Sequence, residues 1–158
     1  MEVKQVILLI EDDESLGFVI QDNLKRMGFE VIWCKDGHHG YEQFSSLKPH
    51  ACILDVMLTG EDGFEVATRI RAGDHTTPIL FLTAKSMIED KLKAFRIGAD
   101  DYITKPFHME ELVYRIEVAL RRREGPRMKE LPSIIPLGSF GFDTQRLLLM
   151  HPSGSQSL

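Results

Sequence analysis

Two cysteines, Cys34 and Cys52, are all the thiol chemistry in these 158 residues, and both stand inside short apolar runs. That placement favours buried free thiols over a disulfide framework or a thiolate metal site, and fits a reducing cytoplasm. Long hydrophobic runs are missing as well. The N-terminal one, Val6 to Ile10, is far too short for a membrane span or a signal-peptide core and stops at Glu11, Asp12 and Asp13. No membrane partner is therefore expected. Positive charge is scarce: the formal net charge is -5, which excludes a surface that coats nucleic acid, so any DNA contact would need a local basic patch or a further domain. No internal repeat occurs, which sets solenoid architectures aside. What is left is an ordinary globular composition with room for one full domain plus a fragment.

Five short apolar runs, at 6–10, 31–34, 51–54, 78–83 and 101–104, alternate with segments of helical period. In the first such segment Leu16, Val19, Ile20, Leu24 and Met27 recur at helical spacing; in a later one Phe64, Ala67, Ile70 and Arg71 do. Alternating strands and helices predict an α/β fold, a doubly wound five-stranded parallel sheet of order 2-1-3-4-5 with five helices, because parallel connections need right-handed crossovers. Gly28, Lys35-Asp36-Gly37, Gly60 to Gly63 and Gly98 punctuate it, and a last helix runs from about Met109 to Arg123. The expected organisation is a domain over 1–124, a proline-broken linker over 125–136, and a fragment over 137–158. In that fragment LGSFGFDTQRLLLM predicts two strands around an Asp143-Thr144-Gln145 turn, followed by a polar tail. So few residues cannot bury a core of their own.

The chemistry gathers at strand ends. Ala51 to Leu54 reads as a strand buried on both faces, and it delivers Asp55 to the carboxyl edge of the sheet, where open α/β folds bind ligands. Glu11, Asp12 and Asp13 hold the equivalent position on the neighbouring first strand. Two carboxylates ~4 Å apart repel by roughly 4 kcal/mol at an effective dielectric near 20, so the cluster calls for a cation or a proton. All-oxygen donors without nearby His or Cys select a hard ion, and a small open site suits Mg2+. Thr83 ends the fourth run with a hydroxyl, Ala84 leaves space beside it, and Lys105 ends the fifth with a fixed positive charge. Singly, each has a plain explanation as a cap or a solvated loop residue. Together they are parts for accepting a phosphoryl group: Asp55 to attack phosphorus, with Mg2+, Lys105 and Thr83 to neutralise the equatorial oxygens.

The matching stretches are LLIEDDES at 8–15, LDVMLTGEDGFE at 54–65, PILFLTAK at 78–85 and GADDYITKPFHMEEL at 98–112. On these the chain, over about residues 4–123, resembles a bacterial two-component response regulator. The resemblance implies that Asp55 accepts a phosphoryl group from a sensor histidine kinase, with Asp12 and the Met57 backbone carbonyl as direct Mg2+ ligands and Glu11 as an outer-shell one. Glu11 departs from the commoner Asp, and Asp13 reads as a cap. Thr83 and Tyr102 would be the switch pair, Tyr102 rotating into space that Thr83 vacates. Such a protein is not a turnover enzyme; it promotes its own phosphorylation and loses the group slowly. Met57 and Lys85 are poorly suited to orient a hydrolytic water, so a long-lived phosphoaspartate is expected.

The sequence further resembles the OmpR/PhoB subgroup, in which the face of the fourth helix, fifth strand and fifth helix forms a symmetric homodimer on phosphorylation. Here that face would carry Lys91, Asp100, Asp101, Glu111, Arg115 and Arg122, with Asp101 meeting Arg115 and Lys91 meeting Glu111 across the two-fold axis. Arg121 to Arg123 suit a helix C-terminus rather than a nucleic acid. LGSFGFDTQRLLLM resembles the opening strands of a winged-helix output domain, so DNA would be reached, and transcription controlled, only through the part of that domain missing here. Two rivals are weaker. A haloacid-dehalogenase-type phosphohydrolase needs a second acid where Met57 stands, and a flavodoxin-like cofactor protein needs a phosphate cradle where Glu11, Asp12 and Asp13 would repel one. A receiver fold that binds partners without phosphate is opposed by the intact Asp12, Asp55, Thr83 and Lys105.

Overall fold

The computed structural model describes residues 3–124 in full and the backbone of four strands between 134 and 157. The first strand, β1 (Val6–Ile10), is followed by α1 (Glu14–Arg26), β2 (Glu30–Cys34), α2 (Gly37–Leu47) and β3 (Ala51–Leu54). A short hairpin, β4 (Met57–Leu58) and β5 (Glu61–Asp62), leads into α3 (Gly63–Gly73), β6 (Ile79–Thr83), α4 (Ile88–Ile97), β7 (Asp101–Thr104) and α5 (Met109–Arg123). The main sheet has the order β2-β1-β3-β6-β7 with every pairing parallel. This is the expected doubly wound five-stranded sheet with five helices. The hairpin was not expected from the sequence: Gly60 to Gly63 was read only as the lead into a helix, whereas Gly60 takes φ +78° and turns the chain back on itself.

The alternation of side chains along a strand builds two cores from one sheet. Ile7, Leu9, Ile53, Leu80, Leu82 and Ile103 point to the face covered by α1 and α5. Leu8, Ile10, Cys52, Leu54 and Phe81 point to the other, covered by α2, α3 and α4. Strands buried on both faces need apolar residues at every position, which is why the runs in the sequence are continuous rather than alternating. Asp13, Asp36 and Asp62 cap α1, α2 and α3 by accepting from the amides of Leu16, His39 and Phe64. Gly98, at φ +110°, ends α4 in the left-handed conformation. Both cysteines are buried and free. Among the described residues no helix is long and apolar enough to cross a membrane.

Glu124–Leu158 forms a separate unit. Its strands β8 (Ile134–Leu137), β9 (Phe140–Asp143), β10 (Leu148–His151) and β11 (Gly154–Ser157) make an antiparallel sheet of order β11-β10-β9-β8. Two strands were expected here. β8 begins inside the stretch read as linker, and β11 lies in the stretch read as a polar tail, whose Gly-Ser-Gln-Ser sequence carries no apolar alternation to mark it. Thr144 and Gln145 of the expected turn, and 125–133 of the expected linker, lie outside the described residues.

Arg71, grouped by sequence with the apolar face of the third helix, is a polar fastener. Its guanidinium donates to the carbonyls of Asp74 (3.1 Å), Thr77 (2.7 Å) and Gly98 (2.9 and 3.0 Å) and to Asp100 Oδ2 (3.1 Å). It thereby joins the end of α3, the start of β6 and the end of α4, with its side chain only 10% exposed. Arg71→Ala should cost about 3 kcal/mol by urea unfolding, because several carbonyls lose their donor together. Arg71→Lys should recover little of it, since one ammonium cannot reproduce the planar fork.

Candidate functional site

Parallel pairing of β1 with β3 brings the two acidic strand ends side by side, and the Asp55 amide donates to the Ile10 carbonyl at 3.1 Å. Glu11 is fastened from the opposite edge. Its amide donates to the Cys34 carbonyl (3.0 Å), and its own carbonyl accepts from Trp33 Nε1 (2.9 Å). Gly63 closes in beneath Asp55: a Cβ built there would stand 2.0 Å from the Asp55 carbonyl oxygen, a distance no side chain tolerates. The start of α3 can therefore approach the loop after Asp55 only as glycine.

Lys105, just beyond β7, bridges the two carboxylates. Its Nζ lies 2.7 Å from Glu11 Oε1 and 2.8 Å from Asp55 Oδ2, while Asp55 Oδ1 accepts from the Met57 amide at 3.0 Å. One ammonium does not balance the cluster. Glu11 is 2% exposed, and its Oε2 is buried without a partner. Burial and the neighbouring Asp55 push the Glu11 carboxyl up to about 8. Burial acts on Asp55 in the same sense, but hydrogen bonds with Glu11, Lys105 and the Met57 amide outweigh it and hold Asp55 below the usual carboxylate range. Burial would lower Lys105, but its two carboxylate partners raise it. The surroundings therefore act in opposite directions on the two acids, favouring the charged form of Asp55 and the neutral form of Glu11.

Oxygens of Glu11, Asp12 and Asp55 lie within 4.8 Å of one another. This all-oxygen set, with one buried carboxylate oxygen orphaned, fits a small hard cation. Alongside it a cleft of about 640 Å³ is lined by Asp12, Met57, Thr59 and Lys85 among others. Asp12 does not point into it unsupported: its Oδ2 accepts from the Thr59 amide (3.1 Å) and the Thr59 hydroxyl (2.8 Å).

Thr83 is fully buried, and its Oγ1 accepts from the Lys85 amide at 3.3 Å. Tyr102 already lies inward, 8% exposed, with its ring centroid 6.1 Å from that of Phe81 and its hydroxyl donating to the Lys85 carbonyl at 2.6 Å. Both residues of the expected switch pair therefore contact Lys85. On the expected dimer face, Arg115 is satisfied within its own chain, by Asp101 (2.7 and 3.0 Å) and Glu111 (3.2 Å). Asp100, although exposed, is engaged within its own chain, accepting from the Ile79 amide (2.9 Å) and Arg71. Lys91 makes no ion pair among the described residues, and Arg122 is exposed. Sequence reasoning did not single out Trp33, Thr59, Gly63 or, as a polar fastener, Arg71. Only the glycine carried a local signal, through its place in the Gly-rich lead into the third helix.

A family model described as the response regulator receiver domain matches residues 7–117. The chain is 47% identical over 149 residues to the transcriptional regulatory protein RprY of Bacteroides fragilis (strain YCH46), covering 94% of this chain and 63% of that protein. It is 42% identical over 118 residues to the alkaline phosphatase synthesis transcriptional regulatory protein PhoP of Bacillus subtilis (strain 168), covering 75% and 49%. The chain thus spans between about half and just under two thirds of these relatives. Among solved structures, the non-phosphorylated HemR receiver domain from Leptospira biflexa superposes with a TM-score of 0.71 at 33% identity, over 74% of this chain and 94% of that one. The BeF3-activated N-terminal receiver domain of Klebsiella pneumoniae RstA gives 0.70 at 29% identity, over 74% and 99%.

Glu11 makes stability depend on pH with a definite sign. Burial and the neighbouring Asp55 raise its carboxyl, to about 8, above the ordinary value of 4.5, so folding favours keeping a proton that the unfolded chain releases. Its contribution is complete below the unfolded value and is lost as pH rises through the folded one. Asp55 has the opposite sign but acts only at acid pH. In a metal chelator the urea midpoint should therefore fall from about pH 5 to about pH 9, and Glu11→Gln should flatten that fall. An unchanged slope in the variant would contradict the assignment.

Proposed function

The chain belongs to the response regulator receiver family, and from that premise we propose that it takes a phosphoryl group from the phosphohistidine of a sensor histidine kinase onto Asp55, in a Mg2+-dependent step. The observation that carries this reading is the single ammonium of Lys105 held at hydrogen-bond distance from both Asp55 and Glu11 at adjoining strand ends. Asp55 is ionised, so one of its oxygens can attack phosphorus as the histidine N–P bond breaks and the imidazole leaves with the bonding electrons. Asp12, Asp55 and the Met57 carbonyl would hold the Mg2+, with Glu11 behind them. The ion supplies positive charge against the phosphoryl oxygens. Lys105 then shifts its salt bridge onto the new phosphoryl oxygen, and the Thr83 hydroxyl donates to another.

The signal would leave through the loop that Thr83, Lys85 and Tyr102 share. Moving the Thr83 hydroxyl toward the phosphoryl group would release the Lys85 amide, while Tyr102, already turned inward and so not needing the expected rotation, keeps the Lys85 carbonyl, so the loop before α4 would be freed on one side and held on the other. That loop borders the face of α4, β7 and α5, where an OmpR/PhoB-type homodimer would form. Because Arg115 is satisfied inside one chain, dimerisation through Arg115 exchanges ion pairs rather than creating them. Its net gain therefore depends on geometry and the apolar contacts around it. The match to RprY covers more of the chain than the receiver unit alone, which supports reading the second unit as the start of a DNA-binding output domain. Transcriptional control, through that domain in a longer protein of the cytoplasm, follows from the same reading.

Intact-mass measurement after incubation with a small-molecule phosphodonor should show one phosphoryl adduct in Mg2+, none in a chelator, and none in Asp55→Ala. The adduct should persist for minutes, since Met57 and Lys85, the cleft residues two positions beyond Asp55 and Thr83, cannot orient an attacking water as an acid or amide there would. No adduct in folded wild type would overturn the phosphotransfer reading; loss within seconds would overturn the predicted lifetime.

A further inference from the structure

Thr59 is braced at the tip of the short hairpin. Met57 pairs with Asp62 and Leu58 with Glu61, which leaves Thr59 and Gly60 as the two-residue turn, with Gly60 at φ +78°. Glu61 is held in turn by Arg69 (2.6 Å), whose guanidinium lies over the Tyr41 ring, 4.6 Å from its centroid. The tip is thus tied through α3 to α2. It ends on one atom, Asp12 Oδ2, which takes both the amide and the hydroxyl of Thr59.

We infer that Thr59 is a positioning residue for Mg2+: it engages Oδ2 and leaves the other Asp12 oxygen to serve as the ligand. The inference rests on the Mg2+ reading above and deepens it. Two donors on one oxygen occupy its lone pairs and fix the carboxylate plane. Asp12 is only half-buried and sits on the chain leading into α1, so without Thr59 its carboxylate is free to turn to solvent. Hydrogen bonds to the distal oxygen of a ligating carboxylate are a general device for tuning metal affinity, with losses of roughly 10- to 100-fold when they are removed. The hairpin, which adds only Leu58 to the second core, thereby has a function.

The full chain carries its own reporter, since its single tryptophan, Trp33, donates to the Glu11 carbonyl. Titrating the metal-free chain with MgCl2 and following Trp33 fluorescence, with calorimetry in parallel, gives the affinity. Thr59→Val keeps the shape and the amide but removes the hydroxyl. It should weaken Mg2+ binding about tenfold while leaving the metal-free thermal midpoint in place, and Thr59→Ser should restore the affinity. Equal affinity in wild type and Thr59→Val would overturn the role of Thr59 and leave the Mg2+ site standing. A weaker Thr59→Val with a lowered metal-free midpoint and no rescue by serine would mark a structural loss only and also overturn it. No response of wild type to MgCl2 by either method would overturn the Mg2+ reading itself, and the inference with it.

Discussion

One cation facing three acids is the constraint on which the rest of this molecule depends. Lys105 reaches Asp55 and Glu11 at once, yet Glu11 keeps a buried oxygen with no partner. A site arranged so is under-neutralised: its hydrogen bonds favour the charged form of Asp55, while burial and the neighbouring carboxylate favour the neutral form of Glu11. A small divalent cation is the ligand whose charge opposes this imbalance; a phosphoryl group on Asp55, as proposed, would add negative charge and so depend on that cation, Lys105 and Thr83 together.

The fold serves that constraint by bringing loops together at close quarters. β1 and β3 must be adjacent and parallel for Glu11 and Asp55 to converge, and β7 must end level with them for Lys105 to span the gap. The Gly63 contact compresses the acceptor loop onto α3 to the point that no side chain fits. Trp33 and Thr59 act from opposite sides, one fixing the backbone of Glu11 and the other the carboxylate of Asp12. At the far end of the site, Tyr102 and Thr83 grip the carbonyl and the amide of the same residue, Lys85, so a shift at Thr83 has a short path to α4.

Much of this was legible in the sequence, for a physical reason. Doubly buried parallel strands must be apolar throughout, so they stand out, and the first polar residue after each run marks the carboxyl edge of the sheet. Asp55, Glu11 and Lys105 were found that way, with Asp12 beside Glu11 and Thr83 as the polar end of its own run. Residues that act through the backbone were not. Thr59 looks like any turn residue until its hydroxyl is seen on Asp12. Arg71 fits an apolar helical stripe because its stem is buried, while its guanidinium collects carbonyls from segments far apart in sequence. Asp100 reads as one more surface charge, yet it fixes the start of β6. The short strands of the second unit carry too little alternation to be told from linker, and β4 and β5, two residues each, are too short to show a hydrophobic pattern.

The central claim, that the apo site carries a proton on Glu11 which a cation displaces, is tested most directly by calorimetric Mg2+ titration in buffers of differing ionisation enthalpy. At about pH 7, below the raised Glu11 value, binding should release close to one proton per chain, falling toward none near pH 9 and disappearing in Glu11→Gln. Mg2+ binding with no proton release at pH 7 would show that Glu11 is already ionised, and would contradict the account.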